Sequence, residues 1–236
     1  MSRITTAIVV ATEEITPLTR RLVLGGSEID ALRTPAGALG PYLKLHLPAG
    51  SGRKLVRTYS VRRYDTTRCE LHVDVVLHRG GAGSDFALRA RPGDPVAIGG
   101  PGFIPAAPCG AYLLAGDHTA LPAIAHILEN LPAEATVRAL VEIPDRHEEQ
   151  PLPSGARVEV TWLHRARGAE SQLPQAVRAA WPADHADLLF WAGAEAAVAR
   201  TMRAEVRAIQ GIAAGRCQVL NYWKLGQPEG GFSYVE

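Results

Sequence analysis

Apolar and polar side chains alternate with a period of two along residues 70–77, Glu-Leu-His-Val-Asp-Val-Val-Leu. That is the pattern of a strand with one buried and one wetter face. Similar short β-branched runs at 3–12, 19–24, 43–47, 56–62 and 95–98 are divided by Gly, Pro and Asp turns, which predicts a small antiparallel barrel over the first half. The pattern changes at 101–108, Pro-Gly-Phe-Ile-Pro-Ala-Ala-Pro, a stretch that reads as an interdomain linker. Beyond it, apolar runs at 112–115, 137–142, 158–163, 188–192 and 217–222 alternate with helical patterns at 120–130, 172–180 and 195–209. Strands alternating with helices predict a parallel sheet with helices on both faces. The expected fold is a β barrel plus α/β, with domains at 1–107 and 108–236.

The 236 residues, 47% of them hydrophobic, suffice for two buried cores. The 25 Lys and Arg nearly balance 24 Asp and Glu, so no global field argues for nucleic acid or an anionic membrane, and any cationic site must be local. Three cysteines, Cys69, Cys109 and Cys217, stand far apart with no metal-ligand spacing, which argues against disulfides and a structural metal. The apolar patch near the start runs into Glu13 and Glu14 and lacks the form of a signal peptide, and no run approaches the roughly 20 apolar residues of a membrane span. The expected address is the cytoplasm.

Candidate chemistry begins on a predicted barrel strand, Arg57-Thr58-Tyr59-Ser60. Arg57 offers a fork of donors for a pyrophosphate, Tyr59 a flat face for a ring, and Ser60 a small hydroxyl. Strand geometry sends 57 and 59 to one side and 58 and 60 to the other, so backbone amides must supply part of any ligand contact. Further on, Asp74 to His78 ends a strand in Arg79-Gly80-Gly81-Ala82-Gly83-Ser84. Glycines let backbone approach a phosphate, and a helix starting at Ser84 would favour an anion there. In the second half, Gly116-Asp117-His118-Thr119 follows a strand and precedes a helix, the place where α/β sheets bind ligands. Arg165 is a candidate for an adenosine 2′-phosphate or a solvated loop cation. Lys44, Trp223 and Lys224 combine cations with aromatic area suited to a flat anionic substrate.

These segments, with Thr16-Pro17, Arg20-Arg21, Arg91-Pro-Gly-Asp94, Gly99-Gly-Pro-Gly102, Trp162-Leu-His-Arg165, Trp191-Ala-Gly193 and Asn221-Tyr-Trp-Lys-Leu-Gly226, resemble in order and spacing the siderophore-interacting protein family. Its members are flavin-dependent ferric-siderophore reductases built like ferredoxin reductases. The resemblance implies FAD contacts at Arg57, Thr58, Tyr59 and Ser60, with Ser60 near flavin N5 in the catalytic position. Asp74, Val76 and His78 would line the ribityl and pyrophosphate region, and Gly81, Gly83 and Ser84 the phosphates. Asp117 and Thr119, with Arg165, would meet NAD(P)H, and Lys44, Trp223 and Lys224 a ferric siderophore. It leaves room for ferredoxin as a partner and calls for no protein metal site. The chain departs from the family pattern at Arg79, Phe86 and His118, where Gly, Trp and Glu are usual. A general flavin or ferredoxin-linked reductase with another acceptor, or a flavin- or siderophore-binding protein with little turnover, stays open at this point.

Overall fold

The computed structural model describes residues 4–35, 37–48, 54–105, 109–184, 186–209, 215–227 and 229. The chain divides into two compact units, Met1–Pro105 and Ala106–Glu236. The first is an antiparallel sheet of β1 (Ile4–Thr16), β2 (Thr19–Gly25), β3 (Ala38–Pro48), β4 (Lys54–Ser60), β5 (Arg63–Asp65), β6 (Glu70–Val76) and β7 (Pro95–Pro105), with one helix, α1 (Ala82–Arg89). The strand order is β4-β3-β7-β1-β2-β6-β5. The two ends of that order, β4 and β5, are separated in the chain by Val61 and Arg62 alone, so the sheet must curl back on itself. The Arg62 amide donates to the His72 carbonyl at 2.9 Å where the ends meet. Alternation fills the interior: Leu43, Leu45 and Leu47 from β3 meet Leu71, Val73 and Val75 from β6, Leu22 and Leu24 from β2, and Ile98 from β7.

Two elements differ from the sequence reading. Strand β5 spans three residues and makes no pattern of its own. The segment expected to be a linker from residue 101 is instead the second half of β7, which pairs with β3 as far as Ala38↔Pro105. Gly100, at φ +129°, and Gly102, whose missing Cβ would fall 2.2 Å from the Tyr42 ring, keep the strand close to β3 despite its prolines. Residues 106–108 of the expected linker lie outside the described residues.

The second unit is a five-stranded, all-parallel sheet of β8 (Ala111–Asp117), β9 (Thr136–Ile143), β10 (Arg157–His164), β11 (Leu188–Glu195) and β12 (Cys217–Trp223), in the order β10-β9-β8-β11-β12. Helix α2 (Leu121–Glu129) links β8 to β9, α3 (Leu173–Ala180) links β10 to β11, and α4 (Ala196–Arg207) links β11 to β12. Right-handed crossovers in opposite directions from β8 and β11 put α2 on one face and α4 on the other. Helix α3 packs beside α4, and Leu173, Val177, Ala199, Met202 and Val206 share one core with Phe190 and Ala192. Residues 144–156 join β9 to β10 without an α-helix, and Ser154 Oγ donates to the last-turn Leu128 carbonyl of α2 at 2.6 Å.

Candidate functional site

In the barrel unit, β4 pairs with β3 in the register Tyr42↔Ser60, Leu43↔Tyr59, Lys44↔Thr58 and Leu45↔Arg57. Residues directly opposed across an antiparallel pair share a face. Arg57 and Tyr59 therefore lie on the side of the core leucines, and Thr58 and Ser60 on the side of the exposed Tyr42 and Lys44. Tyr59 packs against the barrel core, and its hydroxyl reaches the first turn of α1. A Cβ on Gly83 would fall 1.6 Å from Tyr59 Oη, and one on Gly81 would fall 2.3 Å from the His78 ring. Only glycine permits these approaches.

Helix α1 begins after Gly81 with no side-chain cap, and its first backbone bond is the Asp85 amide to the Gly81 carbonyl at 2.8 Å. The amides of Ala82, Gly83 and Ser84 thus have no acceptor within the helix, and the helix dipole adds positive potential there. The Ser84 hydroxyl is engaged locally: it accepts from the His78 amide at 2.9 Å and donates to the Val76 carbonyl at 3.3 Å. This bond closes the 76–84 turn, so Ser84 offers an anion its amide rather than its hydroxyl. Arg57 Nη1 donates to the Val56 carbonyl at 2.7 Å, which fixes the guanidinium beside its own strand.

Asp74 has another role. Its side chain is 1% exposed and is clamped by Arg21, Nε to Oδ1 at 2.6 Å and Nη2 to Oδ2 at 2.9 Å. Arg21 and Asp74 are direct partners across β2 and β6, and Arg62 Nε lies 3.9 Å from the same carboxylate. A buried bidentate pair of this kind ties strands together. The Asp74 carboxylate is held by Arg21 through both of its oxygens.

In the second unit, the strand ends converge on Asp117. Its Oδ1 accepts from the Thr119 amide at 2.9 Å and the Thr119 hydroxyl at 2.5 Å, and its Oδ2 accepts from the Glu195 amide at 2.9 Å and Trp223 Nε1 at 2.8 Å. One carboxylate thus fastens the β8–α2 turn to the ends of β11 and β12. Gly116 lets α2 approach: a Cβ there would meet Ala120 Cβ at 2.6 Å. Glu195 caps α4 through Oε2, accepting from the Ala197 amide at 2.6 Å, and its Oε1 accepts from the Leu225 amide at 3.2 Å. Tyr222 lies over Gly193 and meets Trp191 edge-on at 6.1 Å. Trp223 is thus held by Asp117, whereas Lys224 is exposed in a tight turn closed by the Gln227 amide.

His118 is buried, and its Nε2 lies 3.2 Å from Glu148, itself 2% exposed. Burial pushes the imidazole below its ordinary range, against the opposing pull of Glu148 and Asp117. A carboxylate thus stands beside the His118 ring, supplied by the β9–β10 connection. Arg165 Nη1 faces Glu142 Oε2 at 3.1 Å. Sequence reasoning did not single out Glu142 or Glu148, because their partners lie on other elements, as far as 30 residues away in the chain for Glu142.

Comparison with known proteins adds to this geometry. A family model described as siderophore-interacting protein matches residues 110–226, and one described as siderophore-interacting FAD-binding domain matches residues 47–104. The ferric vibriobactin reductase ViuB of Vibrio cholerae is 30% identical over 78% of this chain and 73% of its own length. The chain belongs to the siderophore-interacting protein family. The solved siderophore-interacting protein SipS from Aeromonas hydrophila is 30% identical, with a TM-score of 0.85 over 97% of this chain and 94% of that one. A ferredoxin NADP+ reductase from Neisseria gonorrhoeae superposes with a TM-score of 0.72 at 13% identity, over 94% of this chain and 100% of its own, and shows that the shared fold is the ferredoxin-reductase one. Within this siderophore-interacting protein, the FAD-binding match encloses β4, α1 and the turn between β6 and α1. The residues there fit the cofactor: two glycines open the backbone, three helix amides await an anion, and Arg57 lies on the core-side face that Tyr59 also occupies. No group of three or more His, Cys, Asp or Glu suited to a metal occurs among the described residues, and none of the described helices is long and apolar enough to cross a membrane.

Proposed function

We propose that this protein is a reductase that takes electrons from NAD(P)H through FAD and delivers them to the iron(III) of a ferric siderophore, which releases iron(II). The observation that carries the reading is the cradle at the start of α1, where Gly81 and Gly83 bring His78 and Tyr59 against bare backbone beside three unengaged amides. When bound, FAD supplies the chemistry of accepting a hydride and passing on single electrons. Arg57 and the amides of Ala82, Gly83 and Ser84 hold its pyrophosphate, and Val76 and His78 border the chain between phosphate and ring. Tyr59, fixed by Gly83, presents its aromatic face. Thr58 and Ser60 lie on the opposite face of β4 with Lys44 directly across from Thr58. That placement supports a role for Ser60 at the reacting edge of the ring and for Lys44 in attracting an anionic iron complex.

In the second unit, the turn from Gly116 through Asp117 and Thr119 offers a nucleotide its backbone, and Asp117 keeps that turn rigid. Trp223 and Lys224 differ in character: the first is held by Asp117, the second is an exposed cation available to a ferric siderophore. Iron(III) is substrate here. Its release follows from the weaker hold of hard oxygen ligands on iron(II).

The test is spectroscopic. Purified chain reconstituted with FAD is expected to be yellow, to bleach anaerobically with NADH or NADPH, and to regain its colour on addition of a ferric siderophore as iron(II) is trapped by a chelating dye. Bleaching without iron reduction would assign another acceptor, and failure to bind FAD would overturn the proposal.

A further inference from the structure

The buried acid Glu142 stands at the carboxyl end of β9, in register with Asp117 on β8 and Leu163 on β10. Its side chain is 2% exposed. Oε1 accepts from the Ser171 hydroxyl at 3.0 Å and from the Gln172 amide at 2.6 Å, at the start of α3. Oε2 faces Arg165 Nη1 at 3.1 Å, in an ion pair rather than an aligned hydrogen bond. Arg165 is 27% exposed, so the far side of its guanidinium is open at the mouth of these strands.

The ends of the second and third strands of such a unit flank the adenosine end of a bound dinucleotide. An unpaired arginine there would attract a 2′-phosphate. This arginine is paired with a charge that water cannot screen, and the pair as a whole is neutral. A phosphate dianion brought to Arg165 would feel the buried carboxylate behind it, at a distance where low dielectric keeps the repulsion strong. The neighbouring charges do not restore a positive site. His164 lies 2.8 Å from Glu149, and His147 lies 2.9 Å from Asp145. Arg146 and Arg167 are exposed, where their attraction is weak and screened.

We infer that Glu142 is a specificity-determining positioning residue that commits Arg165 and turns the site against a 2′-phosphate, so that the chain selects NADH over NADPH. The inference rests on the reading that the second unit takes a nicotinamide nucleotide, and it narrows that reading to one member of the pair.

The experiment is calorimetric titration of the FAD-reconstituted full chain with ADP-ribose and with its 2′-phosphorylated form, which differ in that one group. Wild type is expected to bind ADP-ribose about tenfold more tightly. Glu142→Gln keeps an oxygen to accept from Ser171 and Gln172 while removing the charge. It should raise affinity for the phosphorylated ligand about tenfold and leave ADP-ribose within about twofold. The double variant Glu142→Gln/Arg165→Gln removes the repelling and the attracting charge together and should narrow the preference to within about twofold, and it carries the test if the single variant does not fold. Wild-type preference for the phosphorylated ligand, or a ratio unmoved by Glu142→Gln, would overturn the inference while leaving the nucleotide reading intact. Binding of neither ligand would overturn both.

Discussion

The start of α1 and the start of α2 are both turns from a strand into a helix, yet they are built in opposite ways. At α1 the chain removes side chains: Gly81 and Gly83 leave space that His78 and Tyr59 fill, and no side chain caps the helix. At α2 the chain adds one: Asp117 accepts four hydrogen bonds and fastens three strand ends. The first turn is held by shape and keeps its amides available, whereas the second is held by charge and spends that charge on its own framework. Asp117 therefore serves construction, and under the proposed function ligand contacts would fall to backbone, arginine and small side chains.

The hardest test of that contrast is Asp117→Ala, which leaves partly buried donors of Thr119, Glu195 and Trp223 without their acceptor. A loss of about 4 kcal/mol in stability is expected, read from the urea midpoint of the FAD-free chain, with a matching change in tryptophan fluorescence. Asp74→Asn comes next. It breaks the clamp on Arg21 and should cost about 3 kcal/mol, with FAD affinity in the surviving folded fraction changed less than about threefold. A selective loss of FAD with stability intact would return Asp74 to the ligand.

Gly83→Ala should have a smaller effect on stability, about 2 kcal/mol from forcing Tyr59 aside, together with a fall in FAD affinity of at least tenfold seen by fluorescence titration. The smallest effect separates the two units by pH. Burial pushes His118 down, and burial followed by Arg21 does the same to His72 in the barrel. Each ring is neutral when folded, and the unfolded chain takes up its proton near pH 6.5. The stability each contributes is present above that pH and is lost as pH falls toward the depressed folded value. His118→Gln and His72→Gln should each flatten the acid limb of a stability-against-pH curve, and the combined variant should flatten it further.

The sequence made the order of strands and helices legible because alternation in the barrel and the strand–helix rhythm after it are local patterns. Strand β5 escaped because three residues carry no period, and the second half of β7 escaped because Gly99 to Pro101 has the composition of a turn. The strand parity of Tyr59 and Ser60 and the close backbone approach at Gly81 and Gly83 were readable, since both are local properties. The fates of Asp74, Arg165 and Trp223 were not, because each is decided by a partner on another strand, 106 residues away in the case of Trp223. A charged residue in a motif announces a chemistry, but its neighbours in space decide whether that chemistry faces outward.

The strand that carries Arg57 to Ser60 stands at the end of the barrel's strand order, with β3 as its neighbour there. A flavin seated along β4 binds the folded barrel and not the unfolded chain, so cofactor loading and barrel stability become one property. Chain made faster than FAD is supplied would then be the form that unfolds first, and riboflavin supply during expression becomes a control on the yield of folded protein.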